Sequence, residues 1–286
     1  VPGALRVENG RIAALGPALT ARDGEEVLDG RGSYCFPGMI DLHLHGCRGA
    51  DFCDGTPEAL ETIARYELSR GVTAMAAATM TLPVPQLEAI AATADAFCAA
   101  QAAGRAGGAT LLGLNMEGPF ISPVKKGAQH GAYILPPDAG VFRRLQRAAG
   151  GRIRIMGLAP EQPGAEDFLR ELSGACIFSL AHTNASYEEA CRAFDAGASH
   201  VTHLFNAMPP FGHRAPGVVG AALDHEDVMA ELIYDGIHVH PAVLRAAAKL
   251  FGPDRLMFIS DSMRAAGMPD GRYTLGGQGV AVRGRR

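Results

Sequence analysis

Four histidines and two carboxylates are spaced so that they could do hydrolytic chemistry together: His43, His45, Glu117, His182, His203 and Asp261. His43 and His45 stand one residue apart in His43-Leu44-His45, and each of the others lies at the end of a short apolar run. Alternate side chains of an extended strand share a face, so His43 and His45 point the same way and can grip one ion. Glu117, His182 and His203 add the mixture of oxygen and nitrogen donors that divalent zinc or iron prefers. Three protein ligands leave a position for water, whose pKa a divalent ion lowers to about 7. Asp261 is then placed to take the proton. A single His at a strand end is more often a hydrogen-bonded rim or core residue, and an isolated H-x-H is a weak signal. The weight lies in the ordered set, in which an H-x-H after Pro37-Gly38-Met39-Ile40-Asp41 is followed by Glu, His, His and Asp in later runs.

The elements that must position these residues alternate in type. Candidate strands are Met39–Leu44, Val72–Ala78, Thr110–Met116, Ile153–Leu158, Cys176–Ala181, His200–Leu204, Met229–Tyr234 and Leu256–Ser260. Helix-length amphipathic stretches lie between them: Pro57–Arg70, Pro85–Ala103, Asp138–Ala149, Ala165–Leu172, Ser186–Ala196, Gly217–Leu223 and Pro241–Phe251, with Asp138 and Ser186 as N-caps. Strands alternating with helices imply a parallel sheet, and eight such units predict a closed (β/α)8 TIM-like barrel. In such a barrel the C-terminal strand ends form the active rim, where all six residues above fall.

The chain ends read differently. Ala4–Glu8, Asn9-Gly10 and Arg11–Leu15 form a hairpin pattern. Glu25–Leu28 and Ser33–Phe36 read as further strands, and Tyr273–Leu275 and Val280–Val282 as a return toward them. The expected organisation is a small β-sandwich module from the chain ends (1–37 and 266–286), truncated at its C-terminal part, around a barrel spanning 38–265. The start at Val1 without Met reads as a start inside a longer pattern.

Composition narrows the class. The 286 residues are 48% hydrophobic and 20% charged, values of a globular α/β chain rather than a disordered one. A net charge of −4 gives no global field for nucleic acid or anionic lipid, so an anionic substrate needs a local cation. Neither G-x-G-x-x-G after the first strand nor G-x-x-x-x-G-K-[ST] occurs, which weighs against dinucleotide and P-loop chemistry. The six cysteines form no C-x-x-C pair and read as reduced thiols. With no signal peptide or long apolar run, the expected location is cytoplasmic, away from membranes. Arg214, between Gly212 and Gly217, could hold a phosphate bidentately or be a solvated loop charge. Lys125 and Lys126 read as flexible loop charges.

Pro37-Gly38-Met39-Ile40-Asp41-Leu42-His43-Leu44-His45-Gly46 resembles the metal-binding opening of the amidohydrolase superfamily. Glu117-Gly118-Pro119-Phe120, Ala181-His182-Thr183, Thr202-His203-Leu204-Phe205-Asn206-Ala207-Met208, Asp235-Gly236-Ile237-His238-Val239 and Ser260-Asp261-Ser262-Met263 resemble its N-acetylglucosamine-6-phosphate deacetylase family, in order and over nearly the whole chain. The resemblance implies hydrolysis of the acetamide of an amino-sugar 6-phosphate. It implies Glu117, His182 and His203 at a tight metal site, His43 and His45 at a second, one or two ions in all, and Asp261 as general base and acid. It implies sugar-phosphate contacts from Asn206, from Ala207 through its backbone, and from Arg214, with His238 binding substrate. An arginine loop reaching the neighbouring subunit's site implies a homodimer. One departure concerns Gln129: relatives often have a His at that slot, and here His130 follows one residue later, so the oxyanion role falls to either. Rivals are N-acetylgalactosamine 6-phosphate as substrate, and another amidohydrolase such as a dihydroorotase, allantoinase or D-aminoacylase. Many of these carry a lysine at the end of strand four, where this chain has Ala159-Pro160-Glu161. A non-catalytic sugar-phosphate-binding barrel is a rival from another class, against which the general base Asp261 argues.

Overall fold

Short apolar runs, largely buried in the middle of the sheet and partly exposed in its first and last strands, become the strands of one parallel sheet in a computed structural model that describes residues 3–284. The outermost residues of the expected β module, 1–2 and 285–286, lie outside the described residues. The chain divides into two units, Val1–Pro37 and Gly38–Arg286.

The second unit carries eight strands in sequential order: β1 (Met39–Leu44), β2 (Val72–Thr79), β3 (Thr110–Phe120), β4 (Ile153–Leu158), β5 (Ile177–Leu180), β6 (His200–Val201), β7 (Met229–Ile233) and β8 (Leu256–Ile259). Every neighbouring pair from β1 to β8 is parallel. The helices between them are α1 (Pro57–Ser69), α2 (Val84–Ala102), α3 (Ala139–Ala148), α4 (Ala165–Glu171), α5 (Tyr187–Asp195), α6 (Gly217–Asp224) and α7 (Pro241–Phe251). This is the expected parallel barrel, nearly closed. No regular ladder joins β8 to β1. Instead the two strands meet at a seam just beyond their ends: Asp261 N donates to His43 O at 2.9 Å and His45 N to Ser262 O at 2.7 Å. Ser260 N also donates to the Asp41 carboxylate at 3.3 Å.

Local chemistry sets the helix starts. Thr56 Oγ1 accepts from Ala59 N before Pro57 opens α1. Asp138 caps α3, and Ser186 with Glu189 forms a capping box at α5. On the barrel flank, Phe120, Phe142, Phe168 and Phe178 are buried; Phe168 meets the other three edge to face and Phe142 lies tilted against Phe178, with neighbouring ring centroids 5.3 to 6.1 Å apart.

Two expectations are corrected. The strand expected over His200–Leu204 stops at Val201, because the chain turns over the rim with left-handed backbone at His203, Phe205 and Ala207. In the first unit, Ala4–Glu8 and Arg11–Gly16 form the expected antiparallel hairpin about Asn9-Gly10, both with positive φ. Glu25–Leu28 and Ser33–Phe36 are not strands. Among the described residues they join no sheet, and Val27, Leu28, Tyr34 and Phe36 stay exposed, so no ladder or buried face selects the extended pairing. The hairpin of Gly271–Leu275 and Gln278–Val282 forms its own two-stranded sheet.

Candidate active site

Strand ends bring the six residues to one place. His43 lies on β1 and Glu117 on β3, while His45, His182, His203 and Asp261 lie just past β1, β5, β6 and β8. His182, His203 and Asp261 have positive φ, at 43°, 31° and 48°. Left-handed backbone costs a non-glycine residue about 1–3 kcal/mol, and here it turns three side chains inward over the rim. Gly118 permits the close approach at Glu117, since a Cβ there would run into Thr81.

The rings share one orientation. Nε2 atoms face the Glu117 carboxylate: His203 at 2.9 Å, His182 at 3.0 Å, His45 at 3.3 Å and His43 at 3.5 Å. Asp261 Oδ1 sits 3.4 Å from His45 Nε2 and 3.7 Å from His43 Nε2. Three rings turn Nδ1 outward to an acceptor: His43 to Glu231 Oε2 at 3.1 Å, His45 to Ala78 O at 3.1 Å and His182 to Lys125 O at 2.9 Å. A carbonyl only accepts, so Nδ1 of His45 and His182 carries hydrogen, and the neutral ring presents its Nε2 lone pair inward.

This donor set fits a cation. His182 and His203 Nε2 lie 3.3 Å apart and aim at the same Glu117 oxygen. His43 Nε2 is buried with no hydrogen-bond partner. The donors fall into two groups of three, His43–His45–Glu117 and Glu117–His182–His203, each with ligand atoms within 4.8 Å of one another. Glu117 belongs to both. Electrostatics point the same way. Burial opposes charge on Glu117, yet His182 and His43 hold its carboxyl well below the usual range. Burial likewise opposes charge on Asp261, and His43 and His45 outweigh it. On the imidazole side, burial is overcome by Glu117, Glu231 and Asp261 at His43, raising it well above normal. Asp261 and Glu117 push His45 up to about 10 against the same penalty, and Glu117 raises His182. Two ionised carboxylates here call for positive charge, which either imidazole protons or a divalent ion can supply. Cys47 and Cys53 belong to neither group of donors, and burial pushes the Cys47 thiol up to about 12 and Cys53 higher still.

The remaining expected residues are not drawn into this cluster to the same degree. Gln129 is buried and touches it through Glu117. Its Nε2 donates to Glu117 Oε2 at 2.6 Å, and its Oε1 accepts from Thr81 N at 2.6 Å. His130 lines a neighbouring cavity of about 340 Å³ with Asp51, Cys53, Asp54 and Arg264. Asn206 is half-buried, its amide folded back on the carbonyls of His203 and Leu204. Ala207 O accepts from Thr183 N. His238 is exposed and paired with Asp235 at 2.7 Å. Arg214 is exposed and forms no ion pair among the described residues.

Glu231, on β7, was missed from the sequence. It is fully buried and holds His43 from behind. His43 and His200 keep it ionised despite its burial. Its one sequence signal is an acid in the middle of the apolar run Met229–Ile233.

These observations define a barrel whose strand-end rim carries a metal-ready His and carboxylate cluster, and comparison with known proteins agrees. The chain belongs to the amidohydrolase family, whose model matches residues 34–267. Within it, the chain is 41% identical to the N-acetylglucosamine-6-phosphate deacetylase of Bacillus subtilis (strain 168), over 99% of this chain and 72% of that protein. It is 36% identical to the N-acetylgalactosamine-6-phosphate deacetylase of Escherichia coli O157:H7, over 98% of this chain and 72% of that one. Among solved structures, a mutant of the Mycobacterium smegmatis N-acetyl-D-glucosamine-6-phosphate deacetylase, in complex with N-acetyl-D-glucosamine-6-phosphate, superposes with a TM-score of 0.86 at 30% identity. That match covers 98% of this chain and 71% of the other.

Proposed function

We propose that this chain hydrolyses the acetamide of N-acetyl-D-glucosamine 6-phosphate, giving D-glucosamine 6-phosphate and acetate. The observation that carries the reading is the inward-facing set of four Nε2 atoms and Glu117, edged by Asp261. The Asp261 side chain is 19% exposed, whereas the others are nearly closed to solvent, so it is the member best able to meet a substrate. The likeness to a deacetylase seen with this sugar phosphate supports the substrate. The galactosamine epimer is the second reading, favoured by the likeness to a galactosamine-type relative.

Glu117, His182 and His203 would hold one divalent ion, and His43 and His45 with Glu117 a second; zinc suits these donors, as does iron. When bound, the ion supplies Lewis-acid chemistry, acidifying water and polarising the acetyl carbonyl. Asp261, at the open edge of the cluster beside His45 and His43, is placed to accept a proton from the attacking water. As the C–O bond forms and the C–N bond breaks, Asp261 returns that proton to the leaving amine. Gln129, whose amide also touches Glu117, or His130 meets the acetyl carbonyl oxygen, and His238 binds the sugar. Asn206, the Ala207 backbone and Arg214 receive the phosphate. A phosphate dianion on a chain of net charge −4 needs such a cation. The reading includes a homodimer in which the Arg214 loop serves a neighbour's site. No helix among the described residues is long and apolar enough to cross a membrane, and the reading includes a cytoplasmic location. It also keeps the division into 1–37, 38–265 and 266–286, supported at its first boundary by the break after Pro37.

The test is acetate release by zinc-loaded protein from N-acetylglucosamine 6-phosphate, its galactosamine epimer and unphosphorylated N-acetylglucosamine. The reading expects the first to be fastest by kcat/KM. Release from none of the three would discard it.

A further inference from the structure

We propose that Glu231 is a positioning residue that builds the His43 side of the metal centre and ties it to His203. The inference rests on the metal-dependent reading above and extends it to a residue outside the donor set. Glu231 is completely buried in the barrel interior on β7. A carboxylate there is costly unless it is paired, and Glu231 makes two contacts through its side chain and one through its backbone. Its Oε2 accepts from His43 Nδ1 at 3.1 Å. The same oxygen takes the backbone N–H of His203 at 3.3 Å. Its backbone carbonyl takes Leu204 N at 2.8 Å, pinning the left-handed turn on which His203 sits.

The consequence for His43 is a fixed tautomer. With Nδ1–H committed to Glu231, His43 Nε2 points inward, where it has no hydrogen-bond partner among the described residues. Without the carboxylate the ring is free to rotate or to place its hydrogen on Nε2, and either change removes a lone pair from the centre. His45 and His182 are oriented by backbone carbonyls, which substitution cannot remove. Of the four rings, only His43 is held at Nδ1 by a side chain among the described residues, so Glu231 is the place where one imidazole donor can be weakened while the ring itself remains. The other oxygen, Oε1, faces His200 Nε2 at 3.6 Å, and neither atom is hydrogen-bonded. His200 is itself anchored to Ser179. The carboxylate is thus held between two imidazoles, with its tighter contact on the metal side.

Glu231→Met keeps the length of the side chain and removes the acceptor; Glu231→Gln keeps an acceptor oxygen. Zinc binding to the metal-stripped full chain is followed by chelator competition, with acetate release as a second readout. The expected result is two classes of zinc affinity in the parent chain. In Glu231→Met the class that includes His43 weakens 10–100-fold, the usual range for loss of an outer-sphere partner, and Glu231→Gln recovers part of that loss. Equal zinc affinities in the parent and Glu231→Met overturn the proposal. Should Glu231→Met not fold, a cycle with His43→Ala decides. The effect of Glu231→Gln on zinc must vanish once His43 is gone, and its persistence overturns the proposal. A parent chain that binds zinc with this pattern but releases no acetate leaves Glu231 in its role and removes only the deacetylase reading. A parent chain that binds no zinc removes both.

Discussion

Four phenylalanines from two strands and two helices fill one flank of the barrel, and at its strand-end rim four buried imidazoles crowd two carboxylates; the two regions follow opposite rules. Phe120, Phe142, Phe168 and Phe178 need only be apolar, well shaped and out of water. No backbone strain or charge is required of them. The rim has left-handed backbone at His182, His203, Phe205, Ala207 and Asp261, and it buries ionised groups. Such features persist only where the surroundings over-determine them. The lesson is that the flank contributes stability, whereas the rim concentrates carboxylate charge that imidazole protons or a bound cation can balance.

The sharpest test of that contrast is Asp261→Asn. Asparagine keeps the shape and cannot shuttle a proton, so acetate release should fall about 10²–10⁴-fold, while zinc content and cooperative melting are retained. Near-parental turnover in the folded variant removes Asp261 from the chemistry. Phe178→Ala is the mirror experiment. It should cost about 3–5 kcal/mol in denaturant melts and leave zinc stoichiometry of the folded fraction unchanged. A matching loss of zinc affinity would show that flank and rim are not separable.

Arg214→Ala extends the comparison to the exposed loop. It should lower kcat/KM for the phosphorylated sugar by about 1.5–3 kcal/mol, the range of a charge-assisted hydrogen bond, and spare the unphosphorylated one. Equal losses on both would withdraw the phosphate assignment. Mixing Arg214→Ala with Asp261→Asn protein should partly restore activity if the loop serves a partner's site.

The smallest effect is expected at Glu67, a buried carboxylate of α1 outside the rim. Burial, with Asp41 nearby, pushes its pKa up to about 7 from an ordinary 4.5. The raised value means that the folded state prefers the proton. Stability from this group is present below pH 4.5 and is lost as pH rises through about 7. Glu67→Gln should therefore raise the melting temperature at pH 8, with the gain shrinking toward pH 4.5. A gain that is the same at both pH values would mean that its charge is not the cause.

The rim ligands were legible because each ends a recognisable apolar run, and because His43-Leu44-His45 carries its geometry in its spacing. Glu231 was not legible, since an acid inside a short strand looks like any residue pointing to solvent until the barrel closes around it. The turn after Val201 was overextended as strand because Phe205 and Ala207 adopt left-handed backbone without being glycine, which leaves no local signature. Glu25–Leu28 has strand-like residues, but pairing is a property of two segments and cannot be seen in one. Asn206 and His238 could be named from motif likeness, whereas their present partners, local carbonyls and Asp235, depend on loop conformation that no periodicity encodes.

The seam between β8 and β1 has a kinetic meaning. The amides of Asp261 and His45 are the stitches that hold the sheet's two free edges together, and these residues also belong to the reactive cluster. Any breathing motion that parts the edges also scatters the cluster. Barrel closure and the geometry of the cluster are therefore coupled, and hydrogen exchange at these two amides would report on both.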